Sequence, residues 1–410
     1  MFTALRESRH PLELSLLLAL ALFLPLLEAP KNLAWLAYVC VWLWNRARAR
    51  DFGGRWDLWD TLLALWIASG YLVAAFAAFD GNEWRGANDL VRYASVLWLV
   101  KRGGYREREL VWVAGALFAS GVAATGHGLW SYARQLGAGG TPALQLKSVG
   151  HVNHSAIYLA IVLGLCVAWI LARWAAWRPA PRAAALAAFA LLAVGLVLSA
   201  SRAAVGAGFA LVLLLALAGW RRVRALAAAA VGAVALAAGA ILALDAEVLT
   251  KQRRLEEAGE VLSMRDRIWR TGLAAWERHP WFGVGMSNYS QIGIEQVAAW
   301  RAEAGRSFEP GRYLASPHGH SLYVNALAER GLVGAGALFA VLAAGVAWLL
   351  RARPRGADSD RAWLLWGGAA SGWFVTVAVG AVNTTLHHEH GILATLLLGL
   401  WLCRLAHRAS

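Results

Sequence analysis

Residues 155–172, "SAIYLAIVLGLCVAWILA", decide the fold because they contain no charged residue. The hydrocarbon core of a bilayer is about 30 Å thick, and an α-helix needs roughly 20 apolar residues to cross it. His154 directly precedes this stretch and Arg173 directly follows it. The stretch therefore predicts a transmembrane helix with a polar residue at each end.

The same pattern recurs along the whole sequence. The chain has 410 residues, of which 59% are hydrophobic, and its mean hydropathy of +0.49 excludes an ordinary soluble globular protein. We therefore predict an all-α polytopic membrane protein with about twelve transmembrane helices. These helices are expected near residues 12–28, 32–45, 57–79, 88–100, 109–130, 155–172, 183–200, 204–219, 225–244, 331–350, 362–381 and 389–403.

Basic residues predict how the chain crosses the membrane. Of its 39 Lys and Arg residues, 22 fall in every second connection and at the two ends, and only six fall in the short connections on the other side. Cytoplasmic loops carry such an excess of Lys and Arg. We therefore expect both termini in the cytoplasm. The net charge of +14 then reflects orientation in a lipid membrane, and no nucleic-acid partner is expected.

This topology divides the chain into three parts. Residues 1–244 hold transmembrane helices 1–9, residues 245–320 form a long outer loop, and residues 321–410 hold helices 10–12. Within the loop, residues 250–280 and 289–304 have apolar residues at helical spacing. Long loops with helices of their own usually have a function, so we expect a helical cap over the outer mouth of the bundle.

Histidine is concentrated on the predicted outer face, where three clusters hold seven of the eleven His residues. Any single His can be a packing residue, but three clusters on one face favour a shared polar cavity. A neutral imidazole can serve there as a base or as a metal ligand. The seven residues are His151, His154, His318, His320, His387, His388 and His390.

Two arginines on the same face suit an anionic ligand. Arg202 lies where one predicted span ends, in "LSASRAA", and Arg265 lies in a helical part of the outer loop. A guanidinium group binds phosphate with two parallel hydrogen bonds, so these residues could hold a pyrophosphate leaving group without a metal ion. The alternative for Arg202 is a side chain that extends to the interface for solvation.

Two metal sites remain as alternatives. Asp80, Glu83 and Asp89 occupy one outer connection and could bind a divalent ion. Zinc is the other possibility, through the His318-x-His320 pair or "HHEH" at residues 387–390. Neither histidine spacing is a standard zinc signature.

Three motifs resemble the O-antigen ligase and polymerase superfamily of bacterial envelope glycosyltransferases. They are "SASR" at residues 199–202, Arg265-x-x-x-Trp269 followed by "HPWFGVG" at 279–285, and "HSLYVNALAERGLVG" at 320–334. Their order, their spacing and the long outer loop agree with the family over about residues 183–350. The chain looks most like the lipopolysaccharide O-antigen ligases (WaaL type).

That resemblance implies a glycosyltransferase C-like fold in the bacterial inner membrane. It implies transfer of O-antigen polysaccharide from undecaprenyl pyrophosphate to the lipid A-core oligosaccharide on the periplasmic face, without a metal ion or cofactor. By the family motifs, the catalytic residues are His320, Arg265 and Arg202. Ser321 stands where the family motif has Asn, and His318 is the alternative to His320. We expect the substrates to be contacted by His318, Ser321, His151, Asn153, His154, His387, His388 and His390.

Other functions remain open at this level. A polymerase of the same superfamily joins the repeat units of one glycan, and a protein O-oligosaccharyltransferase transfers the glycan to Ser or Thr of a protein. From a different class comes a transporter of lipid-linked sugars. Transporters place polar residues near the middle of the membrane, where this sequence offers only Asp60 and Arg92 as candidates.

Overall fold

The computed structural model describes residues 8–220, 224, 264–355 and 358–409. Every long regular element in these ranges is an α-helix. The predicted span 225–244 and residues 245–263 of the outer loop lie outside the described residues. The helices are α1 (Pro11–Phe23), α2 (Glu28–Ala49), α3 (Leu58–Ala75), α4 (Glu83–Lys101), α5 (Glu107–Gly137), α6 (Val152–Arg173), α7 (Pro179–Leu198), α8 (Arg202–Ala218), α9 (Arg265–Arg278), α10 (Ile294–Glu303), α11 (Leu322–Arg351), α12 (Asp360–Gly380) and α13 (His388–Ala409).

The fold is that of an all-α polytopic membrane protein, as predicted. Seven of the described helices, α3, α5, α6, α7, α11, α12 and α13, are long and apolar enough to cross a membrane. Two shorter apolar helices, α1 and α8, coincide with further predicted spans. Helices α2 (22 residues) and α4 (19 residues) cover the short spans predicted at 32–45 and 88–100, but neither is among these seven.

Helix α6, which contains the stretch quoted at the outset, lies at the centre of the bundle. In the most apolar part of α6, 94% of the residues are buried, whereas in the corresponding part of α7 only 17% are buried. It packs extensively against α12, α8 and α7. At Gly164 an added Cβ would lie 2.4 Å from the Oγ atom of Ser371, so the absence of a side chain allows α6 and α12 to approach closely. Helix α7 therefore presents most of its surface outwards.

Hydrogen bonds sort the connections between helices into two ends. At one end, Arg46 donates to the carbonyl oxygen of Gly103 (2.7 Å) and Arg404 donates to Glu107 (2.6 Å). At the other end, Lys31 pairs with Glu389 in a buried ion pair. The basic connections thus meet at one end and the histidine-bearing connections at the other, which agrees with the alternation of charge in the sequence.

The two charges considered for a transport pathway have local partners. Asp60 accepts hydrogen bonds from Lys101 (2.9 Å) and Arg102 (2.6 Å) at the start of α3. The guanidinium group of Arg92 lies 5.4 Å from the ring centroid of Trp35. Asp60 therefore joins helix ends at the basic end of the bundle.

Helix α11 is broken where the sequence predicts a helix that runs directly into its span. Gly331 has φ 56° and ψ −161°, a conformation outside the helical region that is essentially restricted to glycine. An added Cβ there would lie 2.3 Å from the carbonyl carbon of Trp281. The break is therefore required by the close approach of the "HPWFGVG" loop, residues 279–285.

This loop supplies backbone partners to both halves of α11. Beyond the break, Leu332 donates to the carbonyl oxygen of Pro280 (2.7 Å) and Val333 to that of Trp281 (3.1 Å). Before the break, Val284 donates to the carbonyl oxygen of Ala328 (2.9 Å) and Gly285 to that of Glu329 (3.0 Å). The groups that a helix break would leave unpaired are thereby satisfied.

Candidate active site

The described part of the outer loop forms a helical cap with a small core of its own. Helix α9 packs against the first turns of α11 and against α10. Residue Ile268 of α9, Val297 of α10 and Ala328 of α11 belong to one buried apolar cluster, which is separate from the main core of the bundle. The amphipathic stretch predicted at 289–304 is interrupted at residues 292–293, so only Ile294–Glu303 is α-helical.

The histidine pair at 318 and 320 is held by a short loop before α11. The ring centroids of His318 and His320 lie 4.2 Å apart. Between them, the amide of Gly319 donates to Oδ1 of Asn325 (2.9 Å). His320 has φ 45°, a left-handed conformation that costs free energy in a residue other than glycine. The loop thus places both imidazoles on the same side at the start of α11.

A chain of hydrogen bonds connects this loop to the helix that carries Arg265. Asn325 donates to Glu329 (2.8 Å), and Glu329 accepts from the amide of Tyr289 (3.3 Å). The hydroxyl of Tyr289 donates to the carbonyl oxygen of Ile268 in α9 (2.7 Å). Movement of α9 relative to the histidine loop would therefore break buried hydrogen bonds.

Ser321 caps helix α11. Its hydroxyl accepts from the amide of Val324 (3.4 Å) and donates to the carbonyl oxygen of Gly380 (3.4 Å). The residue is only 2% exposed. Since both contacts are internal, Ser321 fixes the position of His320, and direct contact with a substrate is not available to it.

The three residues expected to be catalytic lie close enough together to interact electrostatically. Burial lowers the pKa of Arg265, and the nearby charge of Arg202 lowers it further. Burial lowers the pKa of His320 to about 4, with further contributions from His318 and Arg265. A guanidinium group remains protonated at neutral pH, whereas an imidazole with this pKa is neutral and can accept a proton.

The "SASR" motif is joined to α6 by side chains. Ser201, which precedes α8, donates to Oδ1 of Asn153 (3.0 Å). The His151 ring accepts from the amide of Asn153 (3.2 Å) and so caps α6. Of the residues expected to contact substrate, Asn153 and His151 therefore also have structural roles that position Arg202 beside the site.

The remaining histidines surround His154 at the start of α6. Its ring centroid lies 5.9 Å from that of His151, 5.7 Å from His387, 4.7 Å from His388 and 5.2 Å from His390. His387 and His388 are exposed and His154 is half-buried. His390 was also predicted to contact substrate, but it is only 1% exposed. The fold therefore buries this residue.

A cavity of about 310 Å³ joins the histidine cluster to the loop before α11. His318 belongs to its lining, and the ring of His318 also contacts that of His320. Burial lowers the pKa of His318, and the nearby His151 lowers it further. The walls include Asp89, His154, His318, Arg330, His387 and His388.

Arg330 and Tyr93 are among the residues of this cavity that the sequence did not indicate. Arg330 contributes a cation to the lining, and Tyr93 contributes a phenol. Arg330 directly precedes Gly331, so the helix break determines where its side chain points. In the sequence, Arg330 stands next to a Gly at the start of an apolar span. This pattern is equally typical of an arginine that anchors a helix at the membrane interface, so it did not indicate a cavity residue.

The three acids considered for a divalent ion separate in the structure. Glu83 is 6% exposed and accepts a hydrogen bond from Asn288 (3.1 Å), an arrangement that anchors the outer loop to α4. Asp89 lines the histidine cavity, whereas Asp80 is exposed. Glu83 therefore has a structural role.

The arrangement brings two guanidinium groups, a neutral imidazole and a cavity lined by polar side chains to one end of a membrane bundle. Such a site can stabilise negative charge on a leaving group and accept a proton from an attacking hydroxyl. Residues 187–339 match a family model described as O-antigen ligase. No curated protein matches the chain. The chain thus carries a domain of the O-antigen ligase superfamily, and this domain spans residues 187–339.

Proposed function

We propose that this protein is a lipopolysaccharide O-antigen ligase of the bacterial inner membrane. In this proposal it transfers O-antigen polysaccharide from undecaprenyl pyrophosphate to the lipid A-core oligosaccharide, on the periplasmic face and without a metal ion. The family match over residues 187–339 supports the class of reaction. The proximity of Arg202, Arg265 and His320 carries the assignment of the site.

The two arginines would stabilise the leaving group. When the glycosidic bond to the lipid carrier breaks, negative charge builds up on the pyrophosphate. Arg202 and Arg265 lie close enough for their charges to interact, so both could contribute to binding one anion. Preorganised donors at a developing anion are worth about 2.7–4 kcal/mol each. Binding of the anion would also relieve the mutual repulsion of the two guanidinium groups.

His320 would act on the acceptor. Its pKa of about 4 keeps the imidazole neutral, so it can orient the attacking hydroxyl of the core sugar and accept its proton. General base catalysis of this kind typically contributes about 10²- to 10⁴-fold. His318, His154, His387 and His388 would bind the sugars and phosphates along the cavity.

A transfer assay with purified protein in detergent tests this proposal. Donor and acceptor lipids are supplied together, and a ligated product is expected from the wild-type protein. His320→Ala should lower the rate by about 10²- to 10⁴-fold, and Arg265→Ala by about 10²- to 10³-fold. A transporter only moves a lipid across a sealed membrane and forms no glycosidic bond. A ligated product in detergent therefore identifies an enzyme and not a transporter.

Two control variants match these substitutions in residue type. Arg270→Ala removes an exposed arginine from the same helix as Arg265, and His127→Ala removes an exposed histidine from α5. Both should retain wild-type rates. Wild-type activity in His320→Ala would contradict the assignment of the base and direct attention to His318.

Deletion of the gene distinguishes the ligase from the polymerase. Loss of a ligase should leave full-length polysaccharide on the lipid carrier, because polymerisation precedes the transfer. Loss of long chains on the carrier itself would instead identify a polymerase. Transfer to a protein acceptor in the purified system would identify an O-oligosaccharyltransferase.

A further inference from the structure

Three imidazoles from two distant parts of the sequence meet at the wall of the cavity. His154 lies in the first turn of α6, His387 precedes α13, and His388 is the first residue of α13. One ring nitrogen from each lies within 4.8 Å of the others. The His387 and His388 rings are exposed to the cavity, whereas the His154 ring is half-buried.

We propose that His154, His387 and His388 bind one divalent transition-metal ion of the Zn²⁺ class. Three imidazole nitrogens are a common ligand set for Zn²⁺, and they also suit Co²⁺, Ni²⁺ and Cu²⁺. Mg²⁺ and Ca²⁺ prefer oxygen ligands, which this set does not provide. The fourth coordination position faces the cavity, where water or an anionic oxygen can occupy it.

The distances are close to those of a formed site. Zn–N bonds are about 2.0–2.1 Å long, so two nitrogens that bind one tetrahedral ion lie about 3.3–3.4 Å apart. The three nitrogens here lie within 4.8 Å of one another. Closure therefore requires each pair of nitrogens to approach by up to about 1.5 Å, and the exposed rings of His387 and His388 can supply this movement by rotation.

Two further features point to a ligand at this position. Nδ1 of His154 is buried without a hydrogen-bond partner among the described residues, and a buried polar atom in that state costs about 1–3 kcal/mol. Leu386 and His388 have φ values of 54° and 46°. Strained backbone of this kind clusters at ligand-binding sites, and here it directs the two adjacent imidazoles towards His154.

The cavity has charges of both signs around it, and the ammonium group of Lys31 also acts on His388. Asp89 and Glu329 contribute carboxyl groups to its lining, and Arg330 contributes one guanidinium group. A bound ion would occupy imidazoles that the proposed function gives to the donor lipid. If that function holds, Zn²⁺ should inhibit transfer without being required for it.

Direct metal binding tests the site independently of activity. The full-length protein is purified in detergent without a histidine tag, treated with EDTA and dialysed. Titration with Zn²⁺ by calorimetry, and with Co²⁺ by visible absorption, should show one ion per chain. Substitution of a residue that hydrogen-bonds to a metal ligand lowers metal affinity by about 10- to 100-fold. Loss of a ligand itself should have at least this effect, so His387→Ala and His388→Ala should each weaken binding by at least about tenfold. His127→Ala should bind as the wild type does.

The outcomes separate the metal site from the proposed function. Absence of stoichiometric binding would overturn the site, as would unchanged affinity in His387→Ala and His388→Ala proteins that remain monodisperse on size exclusion. Zn²⁺ should slow transfer by the wild-type protein, and EDTA should restore it. Transfer that is unaffected by bound Zn²⁺ would refute a cavity shared by ion and donor. If the wild type shows binding but no transfer, the proposed function fails and the metal site stands.

Discussion

Substitution of Gly331 by Ala tests whether the break in α11 holds the site together. Glycine is required here for two reasons: its φ of 56° with ψ −161°, and the approach of Trp281 to within 2.3 Å of an added Cβ. A residue other than glycine in such a conformation costs about 1–3 kcal/mol. The close contact adds to this cost, because the obstructing atom belongs to the backbone.

This strain should open the backbone hydrogen bonds between the loop at 279–285 and α11. A free energy of about 1–3 kcal/mol corresponds to roughly a 5- to 150-fold change in a local opening equilibrium. The amides of Val284, Gly285, Leu332 and Val333 donate the four bonds concerned. Their exchange with deuterium should accelerate by that factor in Gly331→Ala.

Hydrogen-exchange mass spectrometry of the protein in detergent measures this effect. Peptides that cover residues 280–286 and 326–334 should show faster uptake in the variant, and peptides from the centre of α6 should not change. Gly336→Ala is the matched control, because an added Cβ at Gly336 meets no atom within 4 Å. That change should be neutral or stabilising by up to about 1 kcal/mol, since Ala favours helix more than Gly does.

Two outcomes would refute this account of the break. One is wild-type exchange at both peptides in Gly331→Ala, which would mean that the loop does not depend on glycine. The other is an equal effect of Gly336→Ala, which would indicate a general response of α11 to substitution.

Further predictions concern the pH profile and a buried ion pair. His320 should keep transfer at its full rate down to about pH 5, with loss as the pH falls through its pKa of about 4; an acid limb near pH 6.5 would contradict this. The unfolded chain binds the His320 proton below about pH 6.5, whereas the folded protein does not until about pH 4. The folded protein should therefore lose stability as the pH is lowered from about 6.5 to about 4. Thermal unfolding should show a smaller loss in His320→Asn. Lys31→Met leaves Glu389 buried without its cation, which costs about 3–5 kcal/mol. The double variant Lys31→Met with Glu389→Gln should regain most of the lost thermal stability, and a single variant as stable as the double would contradict the pairing.

The transmembrane architecture could be predicted because its cause is local. A helix such as α6 must be apolar over its whole length, and that requirement is visible in residues 155–172 without reference to any other segment. Arginines at alternate connections mark the ends of the helices in the same local way. The proximity of Arg202, Arg265 and His320 was predictable in part, because the topology puts all three on one face.

The helix break could not be predicted because its cause is distant in sequence. The segment "ERGLVG" at 329–334 is compatible with a continuous helix, in which one glycine is tolerated at a cost of about 1 kcal/mol. The backbone that requires the break belongs to Trp281, fifty residues earlier. The position of Arg330 in the cavity depends on the same contact, so it was hidden for the same reason.

The histidine cluster shows a similar limit. Their placement on one face predicted that these residues share a cavity, but nothing in the sequence ranks them by exposure. The ring of His390 is buried against that of His154, whereas the adjacent His387 and His388 are exposed. This difference arises from the turn before α13, where Leu386 and His388 adopt positive φ. Such conformations are rare outside glycine and have no reliable sequence signal.

The motif at 279–285 and residues 328–334 of α11 are best understood as one structural unit. They exchange four backbone hydrogen bonds, so neither segment has its partners satisfied without the other. Arg265 lies on the helix that leads into the first motif, and His320 lies just before the helix that contains the second. The distance between cation and imidazole is therefore set by backbone pairing, which does not depend on the identity of most side chains. The paired backbone thus holds the helix that carries Arg265 and the loop that carries His320 in a fixed relative position.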